Sequence, residues 1–196
     1  MTAASDEQDR KDMACLTAGQ DSALDELMGR HAERLYHYLL RLLQNETEAA
    51  DAAQEAFVRV YQNRTRFRAA SKFSTWLYTI ATNLARDVQR YRVRHPRVSL
   101  NAEQSETSRD FREIISDTKP NPSELLESTE RRDAVRRAVA ALPEELRTPL
   151  VLAEYEEKSH AEIAEILQCS AKAVEMRIYR ARQQLRSQLQ DLLATR

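Results

Sequence analysis

Glycine is almost absent from this chain, which has two glycines and five prolines in 196 residues. Because sheets, tight turns and loops use both residue types heavily, their scarcity favours helix along nearly the whole length. No alternating strand pattern bounded by turn residues stands out. We therefore predict an all-α protein, whose 42% hydrophobic residues suffice for small helical cores.

The stretch SHAEIAEILQCSAKAVEMRIYRARQQLR, residues 159–186, predicts two helices joined by a tight turn. Ser159 and Glu162 have the spacing of a capping box that begins the first helix, and Ser170 can cap the second. A short helix followed by a longer basic helix is typical of a helix-turn-helix that reads a DNA major groove. The alternative is an ordinary helical hairpin with a solvated basic face.

Apolar periodicity predicts a first helical domain over residues 15–96. Residues 1–14 are polar and are predicted to be disordered. Within the domain, Asn45 can cap a helix predicted over about Glu46 to Gln62. A further helix should end before Pro96, which disfavours helical backbone in the residue before it.

The helical period vanishes over residues 97–123, which predicts a flexible linker. This region is acidic, since residues 101–130 carry eight acidic against three basic residues, a local charge of −5. A second small helical domain, containing the helix-turn-helix, is predicted over residues 124–196. Within it, Pro149 should kink a helix or restart it.

Positive charge is concentrated in two segments, although the net charge is −1. Residues 86–97 contain five arginines against one aspartate, and residues 172–186 contain one lysine and four arginines against one glutamate; each segment is +4. A local excess of this kind favours contact with a polyanion. The chain as a whole is not a basic nucleic-acid binder, but it has two candidate nucleic-acid surfaces.

No catalytic, metal or cofactor site is predicted. The four histidines show no metal-ligand spacing with the cysteines, and two glycines exclude a phosphate-cradling loop. Cys15 and Cys169 are too few for a disulfide framework, which fits a reducing cytoplasm. The polar N-terminus and the absence of an 18-residue apolar run argue against a signal peptide and against membrane insertion. We expect a non-enzymatic cytoplasmic protein.

Basic residues surround a single aromatic side chain, Phe67, in the segment NRTRFRAASK. Cations that hold phosphates and rings that stack on unpaired bases suit single-stranded DNA, and an Asn can read a base edge. Alternatively, Trp76 is a core residue and the arginines are merely solvated; we expect Trp76 to be largely core and Phe67 to be functional. The predicted single-strand contacts are Arg66, Phe67, Arg68, Lys72, Trp76, Asn83, Arg86 and Arg90.

Three segments resemble one protein family. DAAQEAFVRVY (51–61), FRAASKFSTWLYTIATNLARD (67–87) and LPEELRTPLVLAEYEEKSHAEIAEILQCSAKAVEMRIYRAR (142–182) are similar to the extracytoplasmic-function (group IV) sigma factors of bacterial RNA polymerase, in the sigma-70 family. The resemblance implies a subunit that directs core polymerase to specific promoters and opens the DNA. An autonomous helix-turn-helix regulator of duplex DNA is the competing interpretation, and a protein-binding helical adaptor is a third.

The resemblance also implies partners and site residues. The partners are core RNA polymerase, through its beta-prime clamp and beta flap, promoter DNA and an inhibitory anti-sigma factor. The Phe67 segment would bind the minus-ten element as a single strand. The clamp-docking residues would be Asp51, Gln54, Glu55 and Phe57. The minus-thirty-five contacts would be Glu175, Met176, Arg177, Tyr179 and Arg180, to which helix position adds Lys172.

Two residues depart from the family pattern. Gln168 occupies a turn position where glycine is common, which predicts a cost of about 1 kcal/mol if its backbone is left-handed. Glu175 is acidic where a basic residue is common. An acid can accept a hydrogen bond from a cytosine amine but repels phosphate, so the base preference of this chain should differ from that of basic relatives.

Overall fold

The computed structural model describes residues 3–68, 70–95 and 125–190, and over these ranges its regular structure is entirely helical, as predicted. The predicted linker, residues 97–123, lies outside the described residues. The elements are α1 (Ala3–Thr17), α2 (Ser22–Leu43), α3 (Glu46–Gln62), a 3₁₀ turn (Arg64–Arg66), α4 (Phe73–Arg94), α5 (Leu125–Ala141), α6 (Glu144–Glu154), α7 (His160–Leu167) and α8 (Ala171–Gln188).

Helices α1–α4 form a first helix group built around α2. The apolar side of α2 is buried against α3 and α4, as its periodicity predicted. Asn45 accepts a hydrogen bond from the backbone N–H of Glu48 at 3.0 Å, so α3 begins where its cap predicted. The Tyr38 hydroxyl lies 2.7 Å from that of Thr82 in the buried contact between α2 and α4. This packing fixes α4 on the first helix group.

Helix α1 differs from the predicted disorder of residues 1–14. Met13 and Leu16 are buried, and so is the carboxyl group of Asp9. Asp9 contacts His31 Nε2 at 2.9 Å and accepts from Arg30 Nε at 3.0 Å. Buried charged groups require such partners. The polar composition of residues 1–14 predicted disorder, but the acidic side chain of Asp9 instead anchors α1 to α2.

Helices α5–α8 form a second helix group. The capping box is present, because the Ser159 hydroxyl accepts from the Glu162 amide while the Glu162 carboxylate accepts from the Ser159 amide. Ser170 accepts from the Ala173 amide at 3.1 Å and begins α8. The helix-turn-helix is therefore present as predicted. Helix α6 continues through Pro149, so the helix does not restart there, which was one of the two expected outcomes. The missing Pro149 N–H removes one backbone hydrogen bond within the helix.

Two turns of the second helix group use the left-handed backbone without glycine. Gln168, between α7 and α8, has φ +53°, so the condition set for a strained turn is met, and its N–H bonds back to α7. Glu157, before α7, has φ +54°. Each conformation costs a non-glycine residue about 1 kcal/mol, so the surrounding packing must hold both turns.

The two helix groups pack against each other. Helix α4 contacts α7, and α2 contacts α5 and α6. The Arg41 guanidinium lies 4.2 Å from the centre of the Tyr155 ring. A cavity of about 510 Å³ between α2 and α5 is lined partly by Leu40, Val135 and Val139. The chain pattern predicted helices on both sides of a linker, but nothing in it predicted this contact.

Candidate nucleic-acid interfaces

An aromatic cluster supports the loop before α4. The half-buried Phe67 ring lies 5.3 Å from the ring of Trp76 and 6.3 Å from that of Phe73, centre to centre. Phe73 is buried and meets His31 at 5.1 Å. Phe67 is therefore not a freely exposed ring. It forms, with the half-buried Trp76, a ledge whose outer side could stack against a base.

One side of α4 continues this ledge. Trp76, Asn83, Arg86 and Arg90 follow each other at spacings of seven, three and four residues, which places them on one helix face. Asn83 and Arg90 are exposed, and Arg90 bonds Asp87 at 2.9 Å. The face opposite holds the buried contacts of α4. Four of the predicted single-strand contacts therefore lie on one face of α4.

The predicted cations of this surface fall into two classes. Arg66 and Arg68 are exposed at the loop. Lys72 and Arg86 have carboxylate partners in the second helix group. Lys72 Nζ lies 3.0 Å from a Glu162 oxygen, and Arg86 Nε lies 3.0 Å from a Glu144 oxygen. The hydrogen bond to Glu162 raises the pKa of Lys72.

Helix α8 presents a second surface to solvent. Val174, Ile178 and Ala181 face the core. The opposite side exposes a set with helical spacing: Lys172, Glu175, Met176, Tyr179 and Arg180. Met176 and Tyr179 are 41% and 58% exposed, and apolar groups of this kind suit contact with a thymine methyl.

Two residues modify the charge of this surface. The Lys172 ammonium donates to Glu175 at 2.9 Å, and this bond lowers the pKa of the Glu175 carboxyl. The first turn of α8 is therefore closer to neutral than the arginine count implied. Arg177 lies to one side, half-buried, with a guanidinium nitrogen 3.7 Å from the sulfur of Cys169.

The predicted docking residues on α3 differ in their exposure to solvent. Asp51 is exposed, and Gln54 and Glu55 are half-buried, with Glu55 bonded to Arg59 at 2.9 Å. Phe57 is only 2% exposed and belongs to the core, so it supports α3 from behind and is not available for the predicted contact with polymerase. The apolar period of α3 predicts this burial, whereas the family resemblance had placed Phe57 among the docking residues.

A buried polar cluster joins the two helix groups, and sequence reasoning missed it. Tyr78 donates its hydroxyl to Glu156 at 2.5 Å, and the Lys158 ammonium donates to the Ser74 hydroxyl at 2.7 Å. Glu156 is 5% and Lys158 is 8% exposed. The partners lie 78 and 84 residues apart, so no local pattern could have paired them.

The described part of the chain contains no group of His, Cys, Asp and Glu that could hold a metal ion. Over the same residues, no helix is both long and apolar enough to cross a membrane.

Two family models match the two helix groups. Sigma-70 region 2 matches residues 27–95, and Sigma-70, region 4 matches residues 132–185. The ECF RNA polymerase sigma factor SigW of Bacillus subtilis is 38% identical over 89% of this chain and 92% of its own.

Two solved structures are also similar. One is CnrH in complex with the cytosolic domain of CnrY (24% identity, TM-score 0.67, 94% of this chain and 98% of that one). The other is the sigma factor RpoE with the anti-sigma factor NepR from Bartonella quintana (19% identity, TM-score 0.65, 87% of this chain and 98% of that one). These two likenesses support the fold. Taken with the sequence relationship to SigW, the region 2 and region 4 matches show that the chain belongs to the extracytoplasmic-function sigma factors of RNA polymerase, within the sigma-70 family, which are not enzymes.

Proposed function

We propose that this sigma factor reads a promoter with two separate surfaces while it is bound to core RNA polymerase. The observation that carries the proposal is the presence of two DNA-compatible faces on one chain, the α4 face with the Phe67–Trp76 ledge and the exposed face of α8. Residues 15–96 and 124–196 act as the two domains that carry them. A protein that only read a major groove would need only the exposed face of α8.

The ledge and the α4 face bind the minus-ten element as a single strand. Phe67 and Trp76 stack on bases, Asn83 hydrogen-bonds a base edge, and Arg66, Arg68 and their neighbours on α4 hold phosphates. Extruding a base from the duplex costs a few kcal/mol of unstacking. A surface that binds only the extruded base therefore favours strand opening and tests the sequence in one step.

Helix α8 reads the minus-thirty-five element as a duplex. Its exposed face enters the major groove, with Lys172 in the first turn near the phosphates. Glu175 accepts a hydrogen bond from a cytosine amine. Because Glu175 also neutralises Lys172, duplex affinity from this helix alone is modest, and most of the binding energy comes from polymerase.

The exposed side of α3, with Asp51, Gln54 and Glu55, docks on the beta-prime clamp of polymerase, and the second domain contacts the beta flap. An anti-sigma factor inhibits this chain, as the co-crystal of RpoE with NepR suggests by similarity. The protein acts in the bacterial cytoplasm, inserts into no membrane, uses no cofactor and has no catalytic activity of its own.

The experiment is retention of labelled genomic DNA fragments by the chain alone, by core polymerase alone and by the two together. We expect a specific subset of fragments to be retained only by the mixture. Specific retention by the chain alone would contradict the proposal and support an autonomous regulator. Retention that is the same with and without the chain would contradict both interpretations.

A further inference from the structure

The loop that carries Phe67 contacts helix α1 at both of its ends. Before Phe67, the Thr17 hydroxyl lies 3.3 Å from the carbonyl oxygen of Arg64. After Phe67, a carboxylate oxygen of Asp6 lies 3.4 Å from the Lys72 ammonium. Both contacts are made within the first helix group. One helix therefore holds both ends of the loop against that group.

A buried line of contacts also connects α1 to the aromatic ledge. The buried Asp9 carboxylate lies 2.9 Å from His31 Nε2. The His31 ring meets the Phe73 ring edge-to-face, with the ring centres 5.1 Å apart. The centre of the Phe73 ring lies 6.3 Å from that of each ledge ring, Phe67 and Trp76. Phe73 is therefore the floor of the ledge, and Asp9 fixes the ring behind that floor.

The hydrogen bond from Asp9 restricts the orientation of the His31 ring, because a side chain is locked by its packing and by the polar group behind it. A buried carboxylate keeps its partners, and Asp9 has His31 and Arg30, both on α2. Aromatic pairs gain energy only in particular geometries. If the His31 ring turned, Phe73 would shift, and the two ledge rings would lose their common support.

Helix α1 lies outside the region 2 match, which begins at residue 27, whereas His31 and Phe73 lie within that match. The residues predicted from the sequence to contact DNA or polymerase begin at Asp51, so none of them is on α1. A role for α1 in the site follows from its contacts alone.

We propose that α1 positions the aromatic ledge for an extruded base. Asp9 acts through His31 on the floor of the ledge, and Asp6 acts through Lys72 on the end of the loop. A ledge that is in place when the base arrives need not be ordered at that moment, so α1 favours strand opening without touching DNA. The inference rests on the proposed function for the use of the ledge by DNA, but the support of the ledge by α1 does not depend on DNA.

Trp76 makes the position of the ledge measurable, because it is the only tryptophan of the 196 residues. Asp9→Ala removes the partner of His31. We expect acrylamide to quench the fluorescence of the half-buried Trp76 more strongly in the folded variant than in wild type, and the emission to shift to longer wavelength. Asp9→Asn retains a hydrogen-bonding group beside His31, so it should restore much of the wild-type signal.

Asp12→Ala is the matched control, since Asp12 anchors the same helix through Arg30, the neighbour of His31. It should lower the free energy of unfolding, measured by urea denaturation, and leave Trp76 quenching in the folded state at the wild-type level. Equal quenching in Asp9→Ala and Asp12→Ala would show that α1 only stabilises the fold, and would overturn the proposal.

The loop contact is tested by a second pair of variants that leaves Asp9 in place. Asp6→Ala removes a carboxylate from Lys72, whereas Glu7→Ala removes an exposed one that pairs with Arg10 on the same helix. Asp6→Ala should change the Trp76 signal in the same direction as Asp9→Ala. The same signal in Asp6→Ala and Glu7→Ala would overturn the action of α1 on the loop. This pair also decides the proposal if circular dichroism shows that Asp9→Ala does not fold.

Permanganate footprinting of the polymerase complex tests the link to strand opening. On a DNA fragment that wild-type chain and core polymerase retain together, Asp9→Ala should give a bubble about fivefold weaker than Asp12→Ala gives, the effect of one aromatic contact. Pull-down with polymerase should be equal for the two. Equal bubbles would overturn the role of α1 in opening. If the wild-type chain opens no fragment, the proposed function fails, while Trp76 fluorescence still decides whether α1 positions the ledge.

Discussion

Lys158, in the turn before α7, donates a hydrogen bond to the hydroxyl of Ser74, in the first turn of α4, across 84 residues of sequence. Both residues are buried, and burial lowers the pKa of the Lys158 ammonium. Ser74→Ala removes the acceptor and leaves this ammonium with one hydrogen bond fewer. We expect a loss of about 1–3 kcal/mol in the free energy of unfolding, measured by urea denaturation.

Ser187→Ala is the matched control for that prediction, since Ser187 is exposed on α8. Its free energy of unfolding should stay within about 0.5 kcal/mol of wild type. Equal denaturation midpoints for the two variants would show that the contact between Lys158 and Ser74 contributes nothing to stability.

Phe67 should act in promoter opening rather than in polymerase binding. Phe67→Ala removes the ring that the ledge presents to a base, so permanganate footprinting should show a much weaker bubble, while pull-down with polymerase stays at the wild-type level. Because the ring also packs on Trp76, the variant should lose about 1–2 kcal/mol of stability. Phe67→Leu separates the two effects, since it retains apolar packing but cannot stack. An unchanged bubble in both variants would refute the single-strand role.

The α3 surface predicts a separate defect. Asp51→Ala and Gln54→Ala should each reduce capture by core polymerase without loss of secondary structure by circular dichroism. Glu46→Ala is the control, because Glu46 is equally acidic and exposed but lies at the start of α3. If both variants bind polymerase as well as the control, the docking face lies elsewhere on the chain.

Glu175→Gln should strengthen general duplex binding and its salt dependence while weakening the discrimination between bases. Removing the carboxylate frees Lys172 for phosphate, so general duplex affinity should rise and the slope of log affinity against log salt should steepen by about 1. Discrimination for the base that Glu175 reads should fall by about 1–3 kcal/mol. Competition binding of polymerase complexes to duplexes randomised at one position measures both. Unaltered preference would remove Glu175 from the reading face.

The capping box of α7 predicts how stability depends on pH. Burial opposes ionisation of Glu162, but hydrogen bonds from the Ser159 hydroxyl and amide, and from Lys72, lower its pKa to about 2 from an ordinary 4.5. A depressed carboxyl pKa stabilises the folded state above about pH 4.5, and this contribution is lost as the pH falls towards 2. The stability difference between wild type and Glu162→Gln should therefore be constant above pH 5 and shrink below 4.5.

The Ser159→Ala background checks the cause of that dependence. Without the hydroxyl, Glu162 loses one of the bonds that hold it ionised, so the effect of Glu162→Gln at pH 7 should become smaller, as a double-mutant cycle measures. An identical effect in the two backgrounds would mean that Ser159 does not couple to Glu162.

Local signals in the sequence were sufficient where the physics is local. Asn45 begins α3, and Ser159 with Glu162 begins α7, because a cap needs only residues three positions apart. The candidate DNA contacts on α8, apart from Lys172, came instead from the family resemblance. The position of Gln168 in the turn marked it as a residue that would be strained if its backbone were left-handed, and its φ is +53°.

Contacts between residues that are far apart in the sequence could not be predicted from local patterns. The acidic residues of α1 read as solvated because their partners, Arg30 and His31, lie on another helix. The pairing of Lys72 with Glu162 joins segments separated by the linker. Phe57 is a different case, because a local signal was available. Its position in the apolar period of α3 indicated burial, but the family resemblance led us to predict it as a docking residue.

The central claim is that the chain selects promoters in two parts as a subunit of polymerase. The most direct test maps transcription starts, genome-wide and in vitro, with core polymerase and this chain on chromosomal DNA of the bacterium that encodes it. We predict starts that depend on the chain and share two sequence blocks, near minus ten and minus thirty-five, with Phe67→Ala reducing their use. Starts that are unchanged when the chain is added would contradict the account.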